Sequence, residues 1–184
     1  MKRLDKDKYY TPQSLTELLL KHLELPPNSK IIEPCCGDGA IADYLKEQGH
    51  KVIASDIDHG SKYDATTEEY WATTKVNYGI HWTITNPPFN QATDILSHAL
   101  SFSVFGVAML LRLTYLEPCR NRAKLLQGNA DNLRMLIPVN PRPRFRADSK
   151  NTDSCTVAWF VWDKSFSWEA QGSRSPFIFA PINN

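Results

Sequence analysis

The sequence predicts an α/β fold in which helices cover a mainly parallel sheet and an antiparallel hairpin closes one edge. Three observations support this. Short apolar runs alternate with amphipathic segments, a glycine-rich turn joins the first run to the segment after it, and only a polar stretch separates the last two runs. With 184 residues, 42% of them hydrophobic, the chain is expected to form a single domain over residues 1–184.

The first half of the chain is expected to begin with a helix and to continue with strand–helix units. Thr11 before Pro12 predicts the N-cap and the first position of that helix, which carries its leucines on one face. Residues 57–80 show little periodicity, and for them we expect a short strand or a helical turn. The predicted elements are a helix over 12–23, a strand at KIIEP (30–34), a helix at AIADYLKEQG (40–49) and a strand at KVIASD (51–56).

The second half is expected to complete the sheet. The polar stretch 139–154 joins the last two strands, which we expect to pair as the antiparallel hairpin. The predicted elements are a strand at HWTIT (81–85), a helix at NQATDILSHALSF (90–102), a central strand at VFGVAMLL (104–111), a short helix around 119–127, and strands at LRMLIP (133–138) and CTVAWFVW (155–162).

Composition excludes several classes of protein. No apolar run approaches the roughly 20 residues that a membrane span needs, and the charged start MKRLDKDKYY lacks the apolar core of a signal peptide. The four cysteines show neither zinc-ligand spacing nor a disulfide framework, so we expect free thiols, a cytoplasmic location and no metal site. They are Cys35, Cys36, Cys119 and Cys155.

The net charge of +1 conceals an uneven distribution. Residues 1–100 carry 10 Lys/Arg against 14 Asp/Glu, whereas residues 101–150 carry nine against three. The basic segment predicts either a surface that faces phosphates or an ordinary solvated loop.

A glycine loop, EPCCGDG, follows the first predicted strand and opens a helix. Gly37 and Gly39 would let the backbone approach a ligand closely, and Asp56, at the end of the second strand, would accept hydrogen bonds from both ribose hydroxyls. A plain turn between strand and helix would look the same. Glu33 and Asp38 would repel the pyrophosphate of NAD, so they favour the cationic S-adenosylmethionine as the ligand.

The segment TITNPPFN, residues 83–90, places two prolines directly after an apolar strand. Prolines cannot donate to a sheet ladder, so the strand must stop at Asn86. Either the segment is a simple turn, or it is the rigid lip of a pocket that presents an amide, a carbonyl and the Phe89 ring to a planar group.

With EPCCGDG and NPPF in this order, about 47 residues apart, the sequence resembles class I S-adenosylmethionine-dependent amino-methyltransferases over roughly residues 9–163. It is most similar to the phage-type or prophage-type N6-adenine DNA methyltransferases. The resemblance implies a Rossmann-like fold, S-adenosylmethionine as cofactor and DNA as the partner. It also implies that Asn86 and Pro87 accept hydrogen bonds from the amine, and that Phe89 stacks on the flipped base.

The same resemblance implies further site residues. Tyr10 and Thr11 would contact the cofactor, although an N-cap beside a packed tyrosine would read the same way. Phe145 would offer a second stacking surface or anchor its loop, and Arg112 would point to the pocket or cap the sheet edge. The remaining cofactor residues are Gly37, Asp38, Gly39, Asp56, Ile57, Glu33, which could instead be structural, and Asp64, which could instead be merely solvated. Arg142, Arg144 and Arg146 alternate with proline and phenylalanine, a pattern that favours phosphate contact beside a stacking ring.

The sequence does not decide between several possible substrates. No segment is long enough for a separate target-recognition domain, so we expect recognition by loops 112–132 and 139–154 or by a protein partner. The same lip would serve an RNA base, cytosine N4 or a protein glutamine, and a catalytically silent cofactor-binding module is a further alternative. A cytosine-C5 mechanism would need a thiolate, but Cys35 and Cys119 are expected to be packing residues.

Overall fold

The computed structural model describes residues 11–117, 119–143 and 155–179. Within them, six strands form one sheet and five helices pack around it. The strands are β1 (Lys30–Glu33), β2 (Lys51–Ala54), β3 (Trp82–Thr85), β4 (Gly106–Arg112), β5 (Leu133–Pro138) and β6 (Val157–Asp163). The helices are α1 (Gln13–Leu20), α2 (Ala40–Glu47), α3 (Glu68–Tyr78), α4 (Ala92–Phe102) and α5 (Arg120–Gly128), and three short 3₁₀ turns cover Ile57–His59, Ser61–Tyr63 and Leu113–Leu116.

The strand order is β2-β1-β3-β4-β6-β5. The first four strands are parallel, and β6 runs antiparallel to both β4 and β5. The predicted fold class, with its antiparallel edge hairpin, is therefore confirmed. Strand β2 is added on one side of β1 and β3 on the other, so the order reverses between β1 and β3. In sheets of this kind ligands bind at such a reversal, outside the carboxyl ends of the strands.

Both faces of the sheet are covered. On the central strand, Met109 packs with side chains from α3 and α4, whereas Leu110 packs with side chains from α1 and α2. This alternation follows from the two-residue period of a strand, and it explains why β4 and β6 read as nearly continuous apolar runs. The predicted arrangement of helices on both faces is confirmed. Among the described residues, no helix has both the length and the apolar character required to cross a membrane.

The prediction for residues 57–80 is wrong, because the segment contains the 11-residue helix α3. Only Tyr70, Trp71 and Thr74 are buried on this helix. Its apolar face is therefore too narrow to give the sequence the 3.6-residue hydrophobic period of a helix. The indole of Trp71 anchors the helix by donating a hydrogen bond to the Ala65 carbonyl at 2.8 Å. Glu68 and Glu69 in the first turn were a usable helix-start signal.

The predicted cap of α1 is also wrong. Pro12 is the N-cap, the helix begins at Gln13, and no side chain caps it. The Thr11 hydroxyl does not accept a hydrogen bond from the helix; it accepts one from the side chain of Asn86. The residue expected to stabilise α1 is therefore directed toward the carboxyl edge of the sheet.

Gly106 lies where the sheet leaves no room for a side chain. A Cβ there would come within 2.3 Å of the Trp162 carbonyl oxygen and 2.4 Å of the Trp82 ring. We therefore expect Gly106→Ala to lower the free energy of unfolding by about 1–3 kcal/mol, measured by urea denaturation. Gly128→Ala is the matched control, since a Cβ there would meet nothing within 4 Å. Equal midpoints for the two variants would contradict the packing described.

Candidate active site

The glycine loop joins β1 to α2 at the carboxyl edge of the sheet. The Cys36 N–H donates to the Ser55 carbonyl at 3.0 Å, and the Gly39 N–H donates to the Cys36 carbonyl at 2.7 Å. Gly37 and Gly39 have φ angles of +51° and +87°, a region that favours glycine. A Cβ on Gly37 would meet nothing within 4 Å, so the space before the loop is open to a ligand.

Asp56 ties this loop to the end of β2. One carboxylate oxygen accepts the Gly37 N–H and the other accepts the Asp58 N–H, both at 3.0 Å. A carboxylate has about four acceptor positions, so Asp56 retains capacity for ligand hydroxyls. Ile57, the next residue, is 48% exposed and offers an apolar surface beside the carboxylate. The predicted glycine loop and strand-end acid are thus in direct contact.

Glu33 is buried beneath the loop, with 1% of its surface exposed. The carboxyl group lies close to the backbone N–H of Ala42 in the first turn of α2, and its Oε2 has no hydrogen-bond partner among the described residues. Burial, reinforced by the nearby carboxylates of Asp38 and Asp43, raises the pKa of Glu33 well above its usual value. Glu33 is therefore a buried carboxyl group beside the first turn of α2, and burial favours its protonated form.

This environment gives the stability a pH dependence that Glu33→Gln should change. Because the pKa of Glu33 is raised on folding, its contribution to stability is fully present below its unfolded value, about 4.3, and is lost as pH rises toward the folded value. We therefore expect Glu33→Gln to gain stability relative to the wild type as pH increases from 5 to 8, measured by thermal unfolding. A stability difference that stays constant over this range would contradict the burial of an ionisable carboxyl.

The Asn-Pro-Pro-Phe lip follows β3, the neighbour of β1 in the sheet. The Asn86 amide nitrogen donates to the Thr11 hydroxyl at 3.1 Å, and Thr11 itself is buried. This bond fixes the orientation of the Asn86 side-chain amide, so its carbonyl oxygen lies on the side of the amide away from Thr11. Pro87 is buried and Phe89 is half-buried, which gives the lip a rigid base.

Arg112 covers the ring of Phe89. It is the last residue of β4, and its guanidinium carbon lies 4.4 Å from the ring centroid. Of the two positions considered from the sequence, the structure therefore places Arg112 beside the lip. A motif search would not find this contact, because Arg112 ends β4, Phe89 lies in the segment after β3, and no spacing rule links them.

The other predicted residues are less closely connected. Asp64 accepts hydrogen bonds from the Thr66 N–H and hydroxyl at 2.9 and 2.7 Å, which lower the pKa of its carboxyl. These bonds organise the turn before α3, so the structure gives Asp64 a local role. Arg142 is exposed after β5. Four predicted residues lie outside the described part of the chain, namely Tyr10, Arg144, Phe145 and Arg146.

None of the four cysteines forms a disulfide within the described part of the chain. Burial raises the pKa of Cys35, and it raises the pKa of Cys36 to about 11, so neither forms a thiolate nucleophile at neutral pH. The prediction that Cys119 is a packing residue is wrong, because its side chain is exposed.

Comparison with known proteins shows which family model and which folds this chain resembles. Residues 2–81, less than half of the chain, match the family model of N-6 DNA methylases. That family uses S-adenosylmethionine, the cofactor predicted from the glycine loop. No curated protein sequence gives a significant match. The family match supports a methyltransferase.

Solved structures share the fold. One is the modification subunit of a putative type I restriction enzyme from Vibrio vulnificus YJ016, with 13% identity, a TM-score of 0.58 and coverage of 86% of this chain and 45% of that chain. Another is the methyltransferase subunit of a type I restriction-modification system from Streptococcus thermophilus. It has 12% identity and a TM-score of 0.53, and the match covers 86% of this chain and 45% of that chain. The chain thus spans less than half the length of these two proteins.

A third structure is matched over nearly all of its length. It is a release-factor-specific protein-(glutamine-N5) methyltransferase from Alicyclobacillus acidocaldarius, with 16% identity, a TM-score of 0.53 and coverage of 87% of this chain and 98% of that chain. At such identities the three likenesses show a common class I methyltransferase fold, as the sequence predicted.

Proposed function

We propose that this chain transfers a methyl group from S-adenosylmethionine to the exocyclic N6 amine of adenine in DNA. The observation that carries the proposal is the Asn86 amide, which Thr11 holds in one orientation at the carboxyl edge of the sheet. The strand that precedes Asn86 is the neighbour of the strand that leads into the glycine loop. A ligand bound at the loop and a planar group at the lip would therefore be adjacent.

The residues present fit the proposed cofactor. The open space at Gly37 admits a close ligand, and the remaining acceptor positions of Asp56 suit ribose hydroxyls. The exposed carboxylate of Asp38 favours a cation over a pyrophosphate, and the buried Glu33 would support the loop. When bound, S-adenosylmethionine supplies a methyl group on a positively charged sulfur.

Further cofactor contacts are part of the proposal. Gly39 completes the loop, and Ile57 would lie against the adenine ring of the cofactor. Asp64 would meet the amino group of that ring, and Tyr10 would contact the methionine end together with Thr11.

The lip would make the target amine a better nucleophile. The lone pair of an exocyclic amine is delocalised into the ring, which leaves the nitrogen planar and weakly reactive. The Asn86 carbonyl oxygen and the Pro87 carbonyl would accept its two N–H groups, favouring a tetrahedral nitrogen with an available lone pair. Because the prolines hold both acceptors rigidly, little reorganisation is needed during the reaction.

The target base would have to leave the duplex to reach this lip, and Phe89 would stack on it through the ring face that Arg112 does not cover. The basic segment 101–150, with the exposed Arg142, would face the DNA backbone. Arg144 and Arg146 would extend this surface, and Phe145 would provide a second stacking surface for the extruded base. If the chain is a single methyltransferase domain, target recognition would come from loops 112–132 and 139–154 or from a protein partner.

Adenine in DNA is the preferred substrate because the matched family consists of N-6 DNA methylases. A protein glutamine is the second candidate. It is favoured by the shared fold with the glutamine methyltransferase, which this chain covers almost completely. Both substrates present a planar nitrogen, so the mechanism at Asn86 would be the same.

The decisive experiment supplies labelled S-adenosylmethionine with duplex DNA, single-stranded DNA, bulk RNA and a protein extract, and identifies the methylated product by mass spectrometry. We expect N6-methyldeoxyadenosine. Label in RNA or on glutamine would overturn the choice of substrate while keeping the fold and the lip. Cofactor binding without transfer to any of the four would overturn the proposed activity.

A further inference from the structure

Among the described residues, the guanidinium of Arg112 has a stacking partner but no hydrogen-bond acceptor. Its described contact is the stacking on Phe89 at 4.4 Å, and its Nε is buried with no hydrogen-bond partner. No residue of the described ranges forms a hydrogen bond or ion pair with it. A buried donor that stays unpaired costs about 1–3 kcal/mol, so such an arrangement is expected where a ligand supplies the acceptor.

A second arginine provides an internal comparison. The Arg122 guanidinium lies 4.9 Å from the centroid of the Tyr115 ring, and its Nε is also unpaired. However, Arg122 donates a hydrogen bond to the Glu117 carbonyl, so its terminal nitrogens have a partner within the protein. Arg112 has the same kind of stacking, but within the described ranges it has no such acceptor.

The position of Arg112 limits what the acceptor can be. The four acidic residues around the glycine loop lie on the side of β1 and β2, whereas Arg112 ends β4 beyond β3. Those residues are Glu33, Asp38, Asp43 and Asp56. None of these four carboxylates forms an ion pair with Arg112, so a group that enters the lip can supply its anion. A planar guanidinium binds phosphate through two parallel hydrogen bonds, and an aromatic ring keeps its plane fixed.

We propose that Arg112, stacked on Phe89, binds a backbone phosphate that flanks the nucleotide entering the Asn86 lip. This inference rests on the proposed function and adds to it a contact that would determine how the nucleic acid is placed. It places a positively charged side chain next to the lip, at the end of β4. The ring of Phe89 orients the guanidinium, and the phosphate neutralises it.

The test combines a protein variant with a neutral phosphate. Each oligonucleotide contains the target adenine, still unmethylated. One backbone phosphate, immediately 5′ or 3′ of that adenine, is replaced by a neutral methylphosphonate. For the wild type, one of the two positions should lower kcat/KM about tenfold, the usual effect of losing one charge-assisted hydrogen bond. Arg112→Gln should show a similar loss on the unmodified oligonucleotide and no further loss with the methylphosphonate.

Two controls identify the source of the effect. Arg122→Gln removes a charge of the same kind and should keep the wild-type sensitivity to the methylphosphonate. Arg112→Lys keeps the positive charge and should also keep that sensitivity. Cofactor affinity, measured by calorimetry, should be unchanged in all three variants and reports that they are folded.

The possible failures are distinguishable. If the wild type methylates no nucleic acid, the proposed function fails and this inference fails with it. If the wild type methylates DNA but is insensitive to both methylphosphonates, or if Arg112→Gln is as sensitive as the wild type, only the role of Arg112 is overturned. Loss of sensitivity in Arg112→Lys would likewise contradict a contact based on charge.

Discussion

Asn86→Ala is expected to lower kcat by about 100-fold or more and to leave the affinity for S-adenosylmethionine nearly unchanged. The variant removes the carbonyl oxygen that would accept the N–H of the target amine, a hydrogen bond that matters most in the transition state. It leaves intact the contact between Asp56 and the glycine loop. The measurements are steady-state methyl transfer and isothermal titration of the cofactor.

Thr11 offers matched controls for this prediction. Thr11→Ser keeps the hydroxyl that accepts the Asn86 amide and should retain most of the activity. Thr11→Val has almost the same shape without the hydroxyl, so the amide loses its fixed orientation and kcat should fall about tenfold. Unchanged turnover in Asn86→Ala would remove the lip from the mechanism.

Asp56→Ala should act on the other half of the site. Its carboxylate both fixes the Gly37 N–H and supplies the acceptors proposed for the ribose hydroxyls. Hydrogen bonds to a charged group contribute about 1.5–3 kcal/mol each, so we expect cofactor affinity to fall about 100-fold. With cofactor at saturation, kcat should recover to near the wild-type value, because Asp56 does not touch the target amine.

Asp43→Ala is the matched control for Asp56. Asp43 carries the same charge on α2 close to the loop, but its side chain is mostly exposed and forms an ion pair with Lys46. Its removal should change cofactor affinity less than twofold, since exposed ion pairs contribute little. Equal losses in the two variants would show that general charge, and not the specific contact of Asp56, determines binding.

Local patterns were sufficient to predict much of this fold. Each of the six strands is an apolar run that ends at glycine, proline or polar residues, so its position could be read directly. The contact between Gly37 and Asp56 was also predictable, since both follow parallel strands that end at one edge. Helix α3 was not, because its buried face consists of only three side chains.

Contacts between distant segments could not be predicted. Thr11 and Asn86 are 75 residues apart, and the local sequence offered Thr11 a more ordinary role as a helix cap. Arg112 reaches Phe89 only because β3 and β4 are neighbours with a particular register. Such pairs depend on tertiary packing, for which a single sequence contains no direct signal.

The location of the tryptophans determines what the intrinsic fluorescence of this protein can report. Trp71 and Trp162 lie in the core on one face of the sheet, and Trp82 and Trp159 lie in the core on the other. Trp168 donates its indole N–H to the Leu133 carbonyl on the edge strand. None of the five is a predicted site residue, so the emission should follow unfolding of both faces and change little when the cofactor binds. A fluorescent base analogue excited outside the tryptophan band could therefore report base extrusion with little interference from the protein.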